Sequence, residues 1–248
     1  ICSWPDAPPT PEGQAYQIRV KGAVQTLLSE PSLTYLWEKS AIRLLDVCSG
    51  VGMAGATLAI ALANGQNRAV NLTLLDARES VFERTPELFV SAPSQLKWET
   101  RVQDARLLED VGEAYDVVLM FGLSLAHFNP FEWVEMVKKM SRILVQGGVV
   151  LVHETDRKWL DCIENPYQKV AISAIYKGDP IFSVFNKYDP YTGMITRHLY
   201  DPVAAVRHEI KVFPWGISEA GAILMSVLGH VKIVPLPRQD YWIMGYKL

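Results

Sequence analysis

The chain has 248 residues, 49% hydrophobic and 21% charged, which suffices for one α/β core with insertions and leaves a second independent domain cramped. Lys and Arg total 24 against 27 Asp and Glu, a formal charge of -3 with no run of like charge, so nothing makes an electrostatic track for nucleic acid. Cys2, Cys48 and Cys162 are isolated thiols without paired metal spacing, which argues against a disulfide framework or zinc site and for a reducing, cytoplasmic setting.

The first dozen residues carry Pro5, Pro8, Pro9 and Pro11, with neither a leading Met nor a positive n-region, and read as an irregular arm at a trimmed terminus rather than a signal peptide. Helical spacing of Ile18, Val24, Leu27 and Leu28 predicts a helix over 14–28, and a short one follows over 32–39. The chain then alternates: strand 42–47, helix 53–63, strand 70–76, helix 80–90, strand 96–102, strand 115–121, helix 130–144 and strand 148–153. The longest apolar stretch, 51–63, contains glycines and falls short of the roughly 20 residues a membrane span needs, so no membrane partner is expected. After residue 155 the rhythm breaks into a helix over 158–176 and a hairpin of 181–186 and 194–200 around Asp-Pro-Tyr-Thr-Gly. A helix over 218–228 and strands over 230–236 and 241–247 end the chain. Apolar strands joined by helical crossovers require a mostly parallel sheet covered on both faces, a doubly wound α/β fold.

Where the first strand meets its helix the sequence is Asp-Val-Cys-Ser-Gly-Val-Gly-Met-Ala-Gly, from Asp46 to Gly55. Gly50 and Gly52 can take positive φ and admit a ligand to the backbone, and the helix start offers free N–H groups. The turn alone is ambiguous: Gly50, Gly52 and Gly55 also satisfy G-x-G-x-x-G, with Asp76 about where a dinucleotide fold puts its ribose-binding acid. An NAD-dependent oxidoreductase therefore stands as a distant alternative.

Asp46 at the end of the first strand and the closing strand pair tip the balance. At these residues the chain resembles the class I, Rossmann-like S-adenosylmethionine-dependent methyltransferases, whose first motif reads acid-x-Gly-x-Gly-x-Gly; Cys48 stands where the first glycine usually falls. The resemblance covers 40–155 and 216–248 and implies seven strands in the order 3-2-1-4-5-7-6, the last antiparallel. It implies S-adenosyl-L-methionine as cofactor, with Gly50 and Gly52 under the methionine part beside Cys48, and Asp46 near its amino group. Asp76, with Ala77 beside it, would take the ribose hydroxyls, Asp104 and Ala105 would face the adenine, and Phe121 and Gly122 would line the far side. Each acid alone is equally well explained as a helix cap; at successive ends of one parallel sheet they favour a ligand.

Methyl transfer depends mainly on positioning, and a base is optional. His127, His153 and Glu154 are the candidates, set against a loop or packing role for each; alternation sends only one of the last two toward the cofactor. Adjacent His-Glu-Thr-Asp lacks metal-ligand spacing, so no metal is expected. Asn165-Pro166-Tyr167 resembles the Asn-Pro-Pro-Tyr motif of methyltransferases acting on nucleobase or protein amide nitrogen but follows the fifth strand rather than the fourth, which favours a turn. An insert over 155–211 carries Trp159, Tyr167, Tyr176, Phe182, Phe185, Tyr188, Tyr191 and Tyr200, which could wall a pocket or pack the insert on its own sheet. By resemblance, the arm over 1–39 and this insert would form a lid on a domain spanning 40–248. The reading is methyl transfer to O, N or C of a small organic molecule, with an RNA or protein methyltransferase or a non-catalytic S-adenosylmethionine-binding module as alternatives. Oligomeric state is open, a homodimer being one option.

Overall fold

The computed structural model describes residues 11–66, 68–111, 114–160, 168–176, 179–203 and 205–248. Apolar, β-branched runs form β1 (Ala41–Val47), β2 (Ala69–Asp76), β3 (Leu96–Val102), β4 (Tyr115–Met120) and β5 (Leu144–Thr155), which pair in parallel. Strands β10 (Gly229–Pro235) and β11 (Asp240–Lys247) extend the sheet, giving the order β10-β11-β5-β4-β1-β2-β3 with β11 antiparallel to both neighbours. This is the expected seven-stranded order.

Both sheet faces are covered, as uninterrupted burial along β1, β2 and β4 requires. The helices α1 (Pro11–Leu28) and α3 (Met53–Gln66) share one core cluster with Leu44, Leu74, Phe121 and Trp242. Helices α4 (Pro130–Ile143) and α6 (Ile217–Leu228) close the other face around Trp133 and Trp215. Helix α4 starts where Asn129 Oδ1 accepts the N–H of Glu132 at 3.0 Å and Glu132 returns a carboxylate to the Asn129 N–H at 2.9 Å, with Pro130 preset in the first turn. A short α2 (Thr34–Trp37) follows α1. The expected helix over 80–90 is instead 3-10 across Glu79–Phe89, where Pro86 supplies no backbone N–H for α-type bonding.

Beyond β5 the expectation of one helix over 158–176 is wrong. A three-residue helical turn, α5 (Arg157–Trp159), is capped by Asp156 accepting from the Trp159 N–H, and residues 170–176 are a strand. Val170, Ile172, Ile175 and Tyr176 are residues that favour a pleated surface, and the antiparallel partner that decides the matter lies elsewhere in the chain. Asn165-Pro166-Tyr167 lies outside the described residues. The expected hairpin is present as β7 (Asp179–Tyr188) and β8 (Ile195–Asp201), flanked by β6 (Val170–Tyr176) and an unexpected β9 (Val206–Val212) in one four-stranded antiparallel sheet. Among the described residues no helix is long and apolar enough to cross a membrane.

Candidate functional site

The turn after β1 coils tightly because three of its five residues, Cys48, Gly50 and Gly52, hold positive φ of 57°, 56° and 90°. The left-handed backbone costs a non-glycine residue about 1–2 kcal/mol, so Cys48 stores strain where glycine would not. Burial, then the charges of Asp76, Asp46 and Asp104, raises its thiol far above the ordinary range, leaving it protonated and unreactive. A side chain on Gly52 would collide with Leu74. On Gly55 a Cβ would sit 2.6 Å from Asp46 Oδ2 and 2.9 Å from Asp46 Cβ. Gly55→Ala should therefore destabilise the fold by about 1–3 kcal/mol despite its better helix propensity, whereas Gly65→Ala, with nothing within 4 Å, should gain up to about 1 kcal/mol. Urea denaturation of the two variants checks this, and equal effects would refute the packing argument.

The expected acids stand at successive carboxyl ends. Asp46 is buried, with Oδ2 accepting from the Gly55 N–H at 2.9 Å and Oδ1 lacking any hydrogen-bond partner among the described residues. Burial pushes its carboxyl to about 7, against the Gly55 N–H and with help from Asp76. Asp76 Oδ2 accepts from the Gly50 N–H at 2.9 Å, tying the turn to β2. Arg78 covers the same carboxylate through its backbone N–H, Nε and Nη2 at 3.0, 2.9 and 3.1 Å. Burial would raise Asp76, but the bonds from Arg78 and Gly50 together hold it below the ordinary value. The pattern repeats at β3: Asp104 is gripped by Arg106, which holds its carboxyl low and also reaches Glu132 at 2.9 Å, beside buried Ala105. Asp-Ala-Arg thus recurs as Asp76-Ala77-Arg78 and Asp104-Ala105-Arg106, a pairing the sequence displayed and only the geometry explained.

At the end of β4 the chain turns sharply, with Gly122 at φ 90° and Leu123 at 66°. Phe121 stacks on the His153 ring at 4.1 Å between centroids and meets the edge of Tyr16 from α1 at 6.4 Å. His153, Asp240 and Trp242 share this face because Trp242 is the register partner of His153. The His153 ring is 1% exposed, its nitrogens make no hydrogen bond among the described residues, and Asp240 Oδ2 lies 3.7 Å from Nε2. Burial lowers its pKa against the pull of Asp240. The hydroxyl of Thr155 bonds Asp240 from the neighbouring strand.

Glu154 takes the other face. Its Oε1 accepts from the Thr155 N–H at 3.0 Å and lies 3.2 Å from Arg157 Nε, its Oε2 has no partner among the described residues, and burial pushes its carboxyl to about 7 against Arg157. His127, exposed on the loop after β4, has its pKa lowered by surrounding protein and then by Arg157 and Arg78, with the Lys211 backbone opposing. The three candidate bases therefore do not converge: His153 is packed beneath α1, while His127 and Glu154 both lie within electrostatic reach of Arg157.

Arg157 also borders a cavity of about 520 Å³ between the second sheet and the segment before α6, lined further by Ser183, Ile195, Arg197, Val212 and Phe213. The expected aromatic wall is not there. Trp159, Phe182, Phe185, Tyr188, Tyr191 and Tyr200 do not line it, and Tyr191 is 87% exposed; Tyr167 lies outside the described residues. Strand alternation turns Ser183 inward and its neighbour Phe182, with the register partner Tyr200, to the other face. Arg197 and Asp240 went unnoticed in the sequence because each acquires its partners across separate strands, and Arg157 because the cavity it borders is built by the distant second sheet.

Residues 44–148 match a family model described as a methyltransferase domain. No curated protein matches the chain in sequence. Its fold is similar to that of an S-adenosylmethionine-dependent methyltransferase from Clostridium acetobutylicum at 14% identity and TM-score 0.67, over 95% of this chain and 97% of that one. It is similar also to CalS10, an amino pentose methyltransferase from Micromonospora echinaspora, at 15% identity and TM-score 0.61, over 95% and 96% of the two chains. A third similar structure is the sugar N-methyltransferase KedS8 from a Streptoalloteichus species, at 15% identity and TM-score 0.57, over 94% and 87%. The match over residues 44–148 favours a methyl donor over a dinucleotide at the glycine turn, and the fold of the chain is similar to that of S-adenosylmethionine-dependent methyltransferases.

Proposed function

We propose that this methyltransferase acts on a small organic molecule seated in the cavity between the second sheet and the carboxyl edge of the main sheet. The observation that carries the reading is the seat of the loop bearing His127, whose Ala126 carbonyl accepts from the N–H of the cavity-lining Phe213 at 2.8 Å just beyond the carboxyl end of β4. The volume, about 520 Å³, is that of a small-molecule pocket. Two proteins of similar fold are named for sugar or amino pentose methylation, which agrees with an acceptor of this size.

The residues fit the cofactor. The partnerless, buried Oδ1 of Asp46 suits its ammonium group, the Gly50–Gly52 backbone leaves room beneath its methionine chain, and Asp76 can accept two ribose hydroxyls once Arg78 withdraws. Cys48 contributes backbone, Ala77 and Ala105 leave space beside the acids, Asp104 serves the adenine, and Phe121 and Gly122 bound the site beside β4. Bound S-adenosylmethionine supplies an electrophilic methyl on a sulfonium for in-line attack. His127, neutral near pH 7, takes the proton that an O or N acceptor sheds; Glu154 positions Arg157, and His153 supports Phe121 from below. The described parts of the arm, 11–39, and of the second sheet form the lid, and the isolated thiols fit a reducing cytoplasm.

Incubation with methyl-tritiated S-adenosylmethionine and fractions of one cell extract tests the acceptor class. Label should enter the fraction below 1 kDa; label confined to RNA or protein would sink the proposal.

The Glu154 environment has its own signature. A folded-state carboxyl near 7 against an ordinary value of 4.5 means that the fold binds this proton more tightly than the unfolded chain does. Its stabilising contribution is full below about 4.5 and is lost as pH rises through about 7. The melting temperature of Glu154→Gln should therefore gain on the wild type between pH 5 and 8, and a pH-independent difference would contradict the assignment.

A further inference from the structure

Resting on the reading that this cavity seats the acceptor, we infer that Phe213 is a specificity-determining residue: its fixed ring limits the bulk an acceptor can carry beside its reacting atom. Phe213 lines the cavity, and its N–H bonds the Ala126 carbonyl at 2.8 Å, next to His127 in the chain. The wall is thus joined to the loop of the base at this residue. Among the described residues Phe213 is also the one aromatic side chain in a wall whose other apolar members, such as Ile195 and Val212, are smaller.

A wall selects by size only if it does not yield. The Phe213 backbone is pinned at both its polar groups, since the Trp215 N–H returns to the Phe213 carbonyl at 3.0 Å across Pro214, whose ring fixes φ. The phenyl ring meets the Trp215 indole at 4.6 Å between centroids, and that indole is buried and bonded to the carbonyls of Leu125 and Phe128. Gly193, in the turn from β7 to β8, approaches the ring so closely that a Cβ there would stand 2.5 Å from Phe213 Cε2. The turn is braced in its own right. Asp189 accepts from the Tyr191 N–H at 3.0 Å and the Thr192 hydroxyl at 2.6 Å, and its carbonyl accepts from the Gly193 N–H at 2.8 Å. Ile195, two residues beyond Gly193, lines the same cavity. Asp-Pro-Tyr-Thr-Gly, which the sequence marks only as a hairpin turn, therefore buttresses the wall through its glycine.

The test supplies the low-molecular-weight fraction of the cell extract and methyl-tritiated S-adenosylmethionine to the full chain, and separates the labelled products by chromatography. Phe213→Ala opens the wall and should raise label in products of bulkier acceptors at least about tenfold over the wild type. Phe213→Leu should do the same more weakly. With the wild type's own acceptor, purified from the fraction, Gly193→Ala displaces the ring and should lower kcat/KM at least about tenfold. Made in the Phe213→Leu background, where no ring is left to displace, the same change should cost only about twofold. Every variant should bind S-adenosylhomocysteine as the wild type does, which reports an intact fold and cofactor site. A role confined to packing would lower all products alike. An unchanged product profile for Phe213→Ala, or a Gly193→Ala loss as large without the ring as with it, overturns the inference while the acceptor reading stands. If the wild type labels nothing in this fraction, the acceptor reading itself has failed and the inference falls with it.

Discussion

Asp76→Ala should weaken S-adenosylhomocysteine binding by a hundredfold or more, read by isothermal titration. In the proposed site Asp76 ties down the glycine turn, through the Gly50 N–H, and would take a ribose through the oxygens that Arg78 covers. Two charge-assisted hydrogen bonds at about 1.5–3 kcal/mol each set the loss at roughly 3 kcal/mol or more. Arg78→Ala separates ligand binding from simple charge balance. On that proposal Arg78 would compete with the ribose for the carboxylate, and its side chain is about half exposed, so its own pairing with Asp76 adds little stability. That variant should bind within about tenfold of the wild type. If Asp76→Ala and Arg78→Ala were equally harmful, Asp76 would be acting through Arg78 and not as the ribose acceptor.

Trp215→Ala should lower stability by about 3–5 kcal/mol, a fall in melting temperature of about 10 °C for a chain of this size. Trp215 is 1% exposed, and its indole N–H is shared between the carbonyls of Leu125 and Phe128 at 3.1 and 3.0 Å. The same stretch is pinned twice more, by the Phe213 N–H on the Ala126 carbonyl at 2.8 Å and by the Arg157 N–H on the Trp215 carbonyl at 3.0 Å. One side chain therefore fixes the loop that carries His127, the turn that presents Arg157 and the start of α6. Trp215→Phe keeps most of the ring packing and removes the N–H, so its cost should be about 1–3 kcal/mol, from two buried carbonyls left unanswered. Calorimetry on the pair distinguishes the terms: equal losses would mean that the hydrogen bonds outweigh the ring, contrary to its burial.

The main sheet was legible because its signals are local. Apolar runs of strand length, punctuated by Gly50 and Gly52 and followed by helix-period segments, state a parallel α/β sheet within windows of a dozen residues, and Asp46, Asp76 and Asp104 fall at strand ends whichever way the helices pack. Local signals failed where strand partners are distant. Residues 170–176 satisfy a helix or a strand equally until β7 lies beside them, and β9, though Val206, Ile210 and Val212 alternate with charges, ends a sheet with no counterpart in the main fold.

The sequence by itself determined the doubly wound architecture and the acidic edge, since strand ends, glycine turns and acids are written at fixed offsets along one strand and its next helix; the cofactor came only with the family resemblance. Only the tertiary structure decided which side of the sheet each candidate base occupies. His153 and Glu154 are chain neighbours, yet strand pleat sends one beneath α1 against Phe121 and the other toward Arg157. Likewise the cavity exists only because the second sheet, from residues 170–212, closes against residues 157 and 213–214, and its cationic lining comes from side chains 40 positions apart. Contacts of that range depend on which surfaces are buried together, and no window along the chain contains both partners.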